Sequence, residues 1–122
     1  MVLLGLSVMA FAFTTLSDTD DLVKALKAGN AEQVATYFDN FIDLKLPEKD
    51  EVKNMGKNQA GIALKAFFTE NSIKTFDLTS EREMGGTMYI AGKLQNNGKG
   101  FNITVMLKKQ GDKYQVVTIR II

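Results

Sequence analysis

From Thr87 to the C-terminus the chain alternates apolar and polar residues, and the alternation is interrupted by glycine-bearing turns. Met88, Ile90 and Leu94 fall on one face of Thr87–Gln95, with Tyr89, Ala91 and Lys93 on the other. Phe101, Ile103, Val105 and Leu107 alternate with Asn102, Thr104, Met106 and Lys108. Successive side chains of a strand point to opposite faces, so each segment reads as a strand with one buried face. Between them stand Asn96-Asn97-Gly98-Lys99-Gly100, a hairpin signal because Asn-Gly accepts positive φ, and then Gln110-Gly111-Asp112. In residues 114–122 the apolar set changes face between Val116 and Val117, which predicts a bulge or a strand covered on both sides. Residues 73–83 read as a preceding strand with Phe76 and Leu78 on one face, turned at Gly85-Gly86. A meander with one apolar face needs a second layer to cover it.

That layer lies upstream. Ser17-Asp18-Thr19-Asp20 offers N-cap side chains and acidic groups suited to the positive end of a helix. Leu22, Val23, Ala25 and Leu26 then recur at helical spacing, and Gly29 suits a left-handed stop. Asn30 with Gln33 three residues on is a capping-box pattern, so a second helix is expected at once, with Val34, Tyr37 and Phe38 as its apolar side. Residues 41–46 alternate as a short strand, with Ile42, Leu44 and Leu46 on one face and Phe41, Asp43 and Lys45 on the other. Pro47 ends it, since proline donates nothing to a ladder. The charged residues 48–53 read as a solvated loop and residues 54–58 as a helix entry. Ala60, Ala63, Leu64, Phe67 and Phe68 then make an amphipathic stripe, with Asn71 as its stop. The expectation is one α+β domain over residues 17–122, with two to three N-terminal helices packed on a curved, mainly antiparallel sheet.

The chain contains no cysteine and no histidine, which excludes disulfides, thiolate metal sites, thiol nucleophiles and histidine-based triads. A net charge of +1 with no basic stripe gives no footprint for nucleic acid. No cofactor or metal is expected. Residues 86–93 approach a phosphate-loop pattern, but the spacing is one too long and no Ser or Thr follows Lys93. Asp18, Asp20 and Asp21 resemble the start of a calcium loop, yet Val23 and Gly29 stand where its glycine and glutamate belong.

Residues 2–13 are apolar except for Ser7, a length that suits a signal-peptide core and is too short to span a bilayer. Ala10-Phe11-Ala12 places cleavage after Ala12, so residues 1–12 read as a signal segment, although no Lys or Arg precedes Lys24 as a basic n-region. The expected product is periplasmic or secreted, with no transmembrane span.

Ala25-Leu26-Lys27-Ala28-Gly29-Asn30, followed by Tyr37-Phe38, the strand and Pro47, resembles the N-terminal helical hairpin of the nuclear-transport-factor-2-like (cystatin-like) superfamily. The charged loop, the helix ending in Phe67-Phe68 and the closing strands are similar to one branch, a domain-of-unknown-function family of small exported Bacteroidetes proteins. The resemblance covers residues 19–122. It implies a cone-shaped fold with a pocket between sheet and helices, and it implies no established activity, because fold does not fix function. Ketosteroid isomerases of that superfamily carry an aspartate base just before the proline and a helix-borne tyrosine. The matching positions here are Leu46 and Leu22, and leucine carries no proton. Other enzyme members need His–Asp or Asp–Arg–Asp sets. Histidine is absent, and neither Arg82 nor Arg120 has acidic neighbours at such a motif.

In such a cone Tyr37, Phe41, Asp43, Phe67, Met88 and Tyr89 are the candidate pocket residues. Asp43 either points into the cone or faces solvent, and the cost of burying an unpaired charge favours solvent. Tyr37 and Tyr89 offer phenol donors or are core-edge residues with wet hydroxyls. Met84, Met88 and Met106 line an adaptable pocket or simply fill the core. The expected role is a non-catalytic module for a small hydrophobic ligand or a protein partner. The alternatives are an enzyme with Asp43 as base and Tyr37 or Tyr89 as donor, and a homodimer formed through the sheet.

Overall fold

A computed structural model describes residues 17–122; the expected signal segment and its cleavage point after Ala12 lie outside the described residues. Helix α1 (Ser17–Lys27) buries Leu22, Val23, Ala25 and Leu26. Its end is a Schellman closure: the Gly29 N–H donates to the Leu26 carbonyl at 3.0 Å and the Asn30 N–H to the Ala25 carbonyl at 3.0 Å. Gly29 has φ +64°, and a Cβ there would lie 2.8 Å from the Ile73 carbonyl oxygen, so the bend requires glycine for both conformation and space. The Asn30 side chain accepts from the Gln33 N–H at 3.0 Å, the expected cap, which contributes about 1 kcal/mol.

Helix α2 (Ala31–Ala35) is shorter than the sequence suggests. Tyr37 and Phe38 are not its apolar side; Phe38 instead opens strand β1 (Phe38–Lys45). The Thr36 hydroxyl donates to the Gln33 carbonyl at 2.6 Å, and the Thr36 and Tyr37 N–H groups bond three residues back, which tightens and ends the helix. Phe38, only 1% exposed, is buried in the sheet beside Val116.

Strand β2 (Val52–Gly56) occupies part of the stretch read as loop and helix entry. As an edge strand exposed or half-exposed along its whole length, it has no apolar alternation to read. Helix α3 (Lys57–Glu70) starts after it and buries Ala60, Leu64, Phe67 and Phe68. Strands β3 (Thr75–Met84), β4 (Thr87–Gln95), β5 (Gly100–Gln110) and β6 (Lys113–Ile121) form the meander. The sheet order is β2-β1-β6-β5-β4-β3, parallel between β1 and β6 and antiparallel elsewhere. Helix α3 joins the strands at its two edges. Among the described residues the result is a few helices packed on a curved, unclosed, six-stranded sheet.

The expected irregularity in the last strand is a register shift: Leu107 pairs with Val116 and Met106 with Thr118, leaving Val117 as the extra residue. The turn after β4 departs from expectation, since neither Asn97 nor Gly98 adopts positive φ. The Asn96 Oδ1 instead accepts from the N–H groups of Gly98 at 3.0 Å and Lys99 at 2.8 Å, so a side chain closes the loop. Leu78 shares the face of Phe76 as expected, since Phe76 pairs with Leu94 and Leu78 with Gly92, but it is 39% exposed against 1%, just before a register shift in β3.

Candidate functional site

All fully buried residues among those described are apolar. The sheet contributes Ile42, Ile90, Val105 and Ile119, and the helices contribute Leu22, Leu26 and Leu64. Open space lies instead at the margin of this core. Pro47 ends the first strand region, and the chain folds back with the Lys49 N–H donating to the Leu46 carbonyl at 3.2 Å. This connection passes beside α3 and leaves two adjoining clefts. One, of about 270 Å³, is lined by Leu46, Lys49, Ala63, Ala66, Phe67 and Phe101, with Glu48, Glu70 and Lys99 among its charged lining groups. The other, of about 210 Å³, is lined by Leu44, Leu46, Lys49, Asp50, Val52, Met55 and Ala63. Leu46, Lys49 and Ala63 wall both, so the two adjoin at these side chains and together line one side of α3 as a trough.

The trough has an apolar floor and a charged rim. Ala63 and Ala66 keep the α3 wall low, and Phe67 packs edge-on against Phe101 with ring centroids 5.1 Å apart. The Lys99 ammonium sits 5.1 Å from the centroid of the Phe101 ring. Leu46, at the position where the resemblance would require an aspartate base, is a wall residue. Such a surface suits an apolar body with a polar end. Among the described residues no three metal-ligating side chains gather, and no helix is long and apolar enough to cross a membrane.

Of the six residues singled out from sequence, Phe67 lines the trough. Met88 is half-buried against the core on β4. Tyr37 lines a separate cleft with Asp21, Lys24 and Gln33. Phe41, Asp43 and Tyr89 are on the sheet face turned away from the helices, opposite in alternation to the buried Ile42, Leu44 and Ile90. The Asp43 Oδ1 accepts from the Asn54 N–H at 2.9 Å. It thereby holds the irregularity in β2, where Lys53 and Asn54 fall between the partners of Ile42 and Leu44. The six therefore do not share one cavity. Leu46, Lys49, Ala63 and Phe101 were not singled out. A signal was present on α3, where Ala63, Ala66, Phe67 and Glu70 recur as i, i+3, i+4 and i+7.

A second polar arrangement links the distal ends of β3 and β6, where the Tyr114 hydroxyl donates to the Glu83 carboxylate. That hydrogen bond, then desolvation and the carboxylate's charge, raises the phenol above its ordinary value near 10. The neutral phenol is the favoured form in the fold, so the contact is present below pH 10 and is lost as pH rises through the raised value. NMR titration of the Tyr114 ring should show ionisation above 10 in the parent protein and a downward move in Glu83→Gln. Coincident titrations would mean that the bond is not formed in solution.

The family of a domain of unknown function, DUF4783, matches residues 19–121. Among solved structures, a DUF4783 family protein from Bacteroides uniformis is similar with a TM-score of 0.76 at 22% identity, covering 84% of this chain and 93% of its own. A DUF4783 family protein from Bacteroides fragilis gives 0.73 at 25% identity, with 83% and 93% covered. An uncharacterized cystatin fold protein from Novosphingobium aromaticivorans gives 0.62 at 16% identity, with 88% and 97% covered, and supports the fold alone. No functionally curated protein matches the chain. The architecture is thus the nuclear-transport-factor-2-like, cystatin-like one.

Proposed function

Because the chain belongs to the DUF4783 family of unknown function, we propose that it is an exported, non-catalytic module that binds a small, mainly apolar ligand in the trough between the β1–β2 connection and α3. The observation that carries this reading is that the two clefts adjoin at Leu46, Lys49 and Ala63. Either half is below the usual size of a small-molecule pocket, roughly 300–1,000 Å³, and together they come within it. The apolar walls supply the burial, and Lys49, shared by both halves, offers a charged group beside any ligand that spans them. Proton transfer needs an acid or base positioned at the reacting group, and the floor residues Leu46, Ala63, Phe67 and Phe101 carry none. Export rests on the apolar residues 2–13 and the Ala10-Phe11-Ala12 pattern.

An Ala63→Phe variant tests the site. Ala63 is half-buried, and a phenyl ring there would fill both halves of the trough. An environment-sensitive apolar dye should bind the parent and lose about tenfold or more in affinity for the variant, equivalent to about 1.4 kcal/mol. Equal binding by two folded proteins would rule the trough out. Native mass spectrometry of protein recovered from its export route should show a chain beginning at Phe13, whereas an intact Met1 would sink the export reading.

A homodimer through the sheet is a second reading, supported by Phe41 at 62% and Tyr89 at 37% exposure on the same outer face. Tyr89 pairs across to Met106 and Met106 to Thr118, which extends the patch towards β1. A monomeric mass at micromolar concentration would count against it.

A further inference from the structure

We propose that the free edge of β3 accepts an added strand from a protein partner whose extended segment carries basic residues at alternate positions. Among the described residues β3 ends the sheet and pairs only with β4. Its outward N–H and C=O groups form a pairing template, and nine of its ten residues are exposed. The opposite edge is less suited: β2 has five residues and is broken by the Asn54 irregularity, with φ +56°.

Charge identifies the occupant. Glu81 pairs with Ile90 and Glu83 with Met88, so both carboxylates stand on the helix-side face of the sheet, two residues apart. The ion pairs among the described residues are Lys65–Glu32 and Arg120–Glu51, so neither carboxylate has a cationic partner there. The Tyr114 hydroxyl on Glu83 donates a proton bond and leaves the charge in place. An antiparallel strand with Lys or Arg at i and i+2 on that face would meet both, and opposite charges directly across a ladder attract.

A second copy fits poorly. A two-fold axis perpendicular to the sheet keeps each face on its own side. Centred on Glu81, it sets that residue against itself; centred on Arg82, it sets Glu81 against Glu83 and Arg82 against Arg82. Like charges across a ladder are destabilising.

The test uses the parent chain and two capped hexapeptides, Val-Lys-Thr-Lys-Val-Thr and Val-Glu-Thr-Glu-Val-Thr. The lysine peptide should shift the amide resonances of residues 78–84, slow their hydrogen exchange, and bind about tenfold tighter than the glutamate peptide. High salt should shrink that difference. A Glu81→Lys, Glu83→Lys double variant, altered only at exposed positions, should reverse the preference. Equal affinity for both peptides, or shifts confined to other surfaces, would overturn the proposal. So would concentration-dependent protection of β3 without peptide, which would assign the edge to a second copy.

Discussion

Replacing Gly92 with alanine should lower the melting temperature by roughly 10–25 °C. An ideal Cβ on Gly92 would lie 2.2 Å from the Asp77 carbonyl oxygen and 2.5 and 2.6 Å from two carbons of the Phe76 ring. The contact is between paired strands: Gly92 faces Leu78 where β3 shifts register, and Phe76 lies over the space the glycine leaves. Overpacking typically costs about 1–3 kcal/mol, and a clash with backbone as well as a buried ring belongs at the upper end or beyond. At about 4–8 °C per kcal/mol for a domain near this size, that gives the stated fall. Adding Phe76→Leu should restore only part of the loss, because the Asp77 carbonyl remains in the way. A melt within a few degrees of the parent would mean that β3 and β4 do not approach this closely at Gly92.

Truncating Phe38 to alanine should cost about 3–5 kcal/mol, the range for a buried aromatic whose cavity cannot collapse. Phe38 is 1% exposed and belongs to the core between the helical hairpin and β6. Against a total of about 5–15 kcal/mol, that loss would remove much of the folded state's margin. Phe41, three residues along the same strand, is 62% exposed, and its replacement by alanine should stay within about 0.5 kcal/mol in the monomer. Urea unfolding of the two variants compares them directly. Equal losses would mean that the faces of β1 are wrongly assigned.

The same two phenylalanines mark where sequence reading succeeds and where it stops. The strand character of Phe41 and the opposite facing of Ile42 follow from alternation alone, whereas Phe38 carries a spacing that suits helix as well as strand. Its choice is made by Thr36, which closes α2, and by the place beside Val116. In β5, Phe101, Ile103, Val105 and Leu107 are all buried as their period requires. The Gly29 bend, the Asn30 cap, the α3 stripe and the irregularity at Val117 are likewise local signals, each written within a few residues.

The trough is of another kind. Leu46, Ala63 and Phe101 meet there from three separate parts of the chain, and no periodicity within any one of them announces the meeting. β2 shows the same limit, since an edge strand open to water has no buried face to impose a pattern. Sequence alone determined which residues of most elements turn inward, because burial imposes a helical or strand period on neighbouring side chains. Which elements lie side by side, and therefore where the trough and the open β3 edge fall, was decided only in the tertiary structure, where packing between distant segments sets the contacts that local periodicity leaves open.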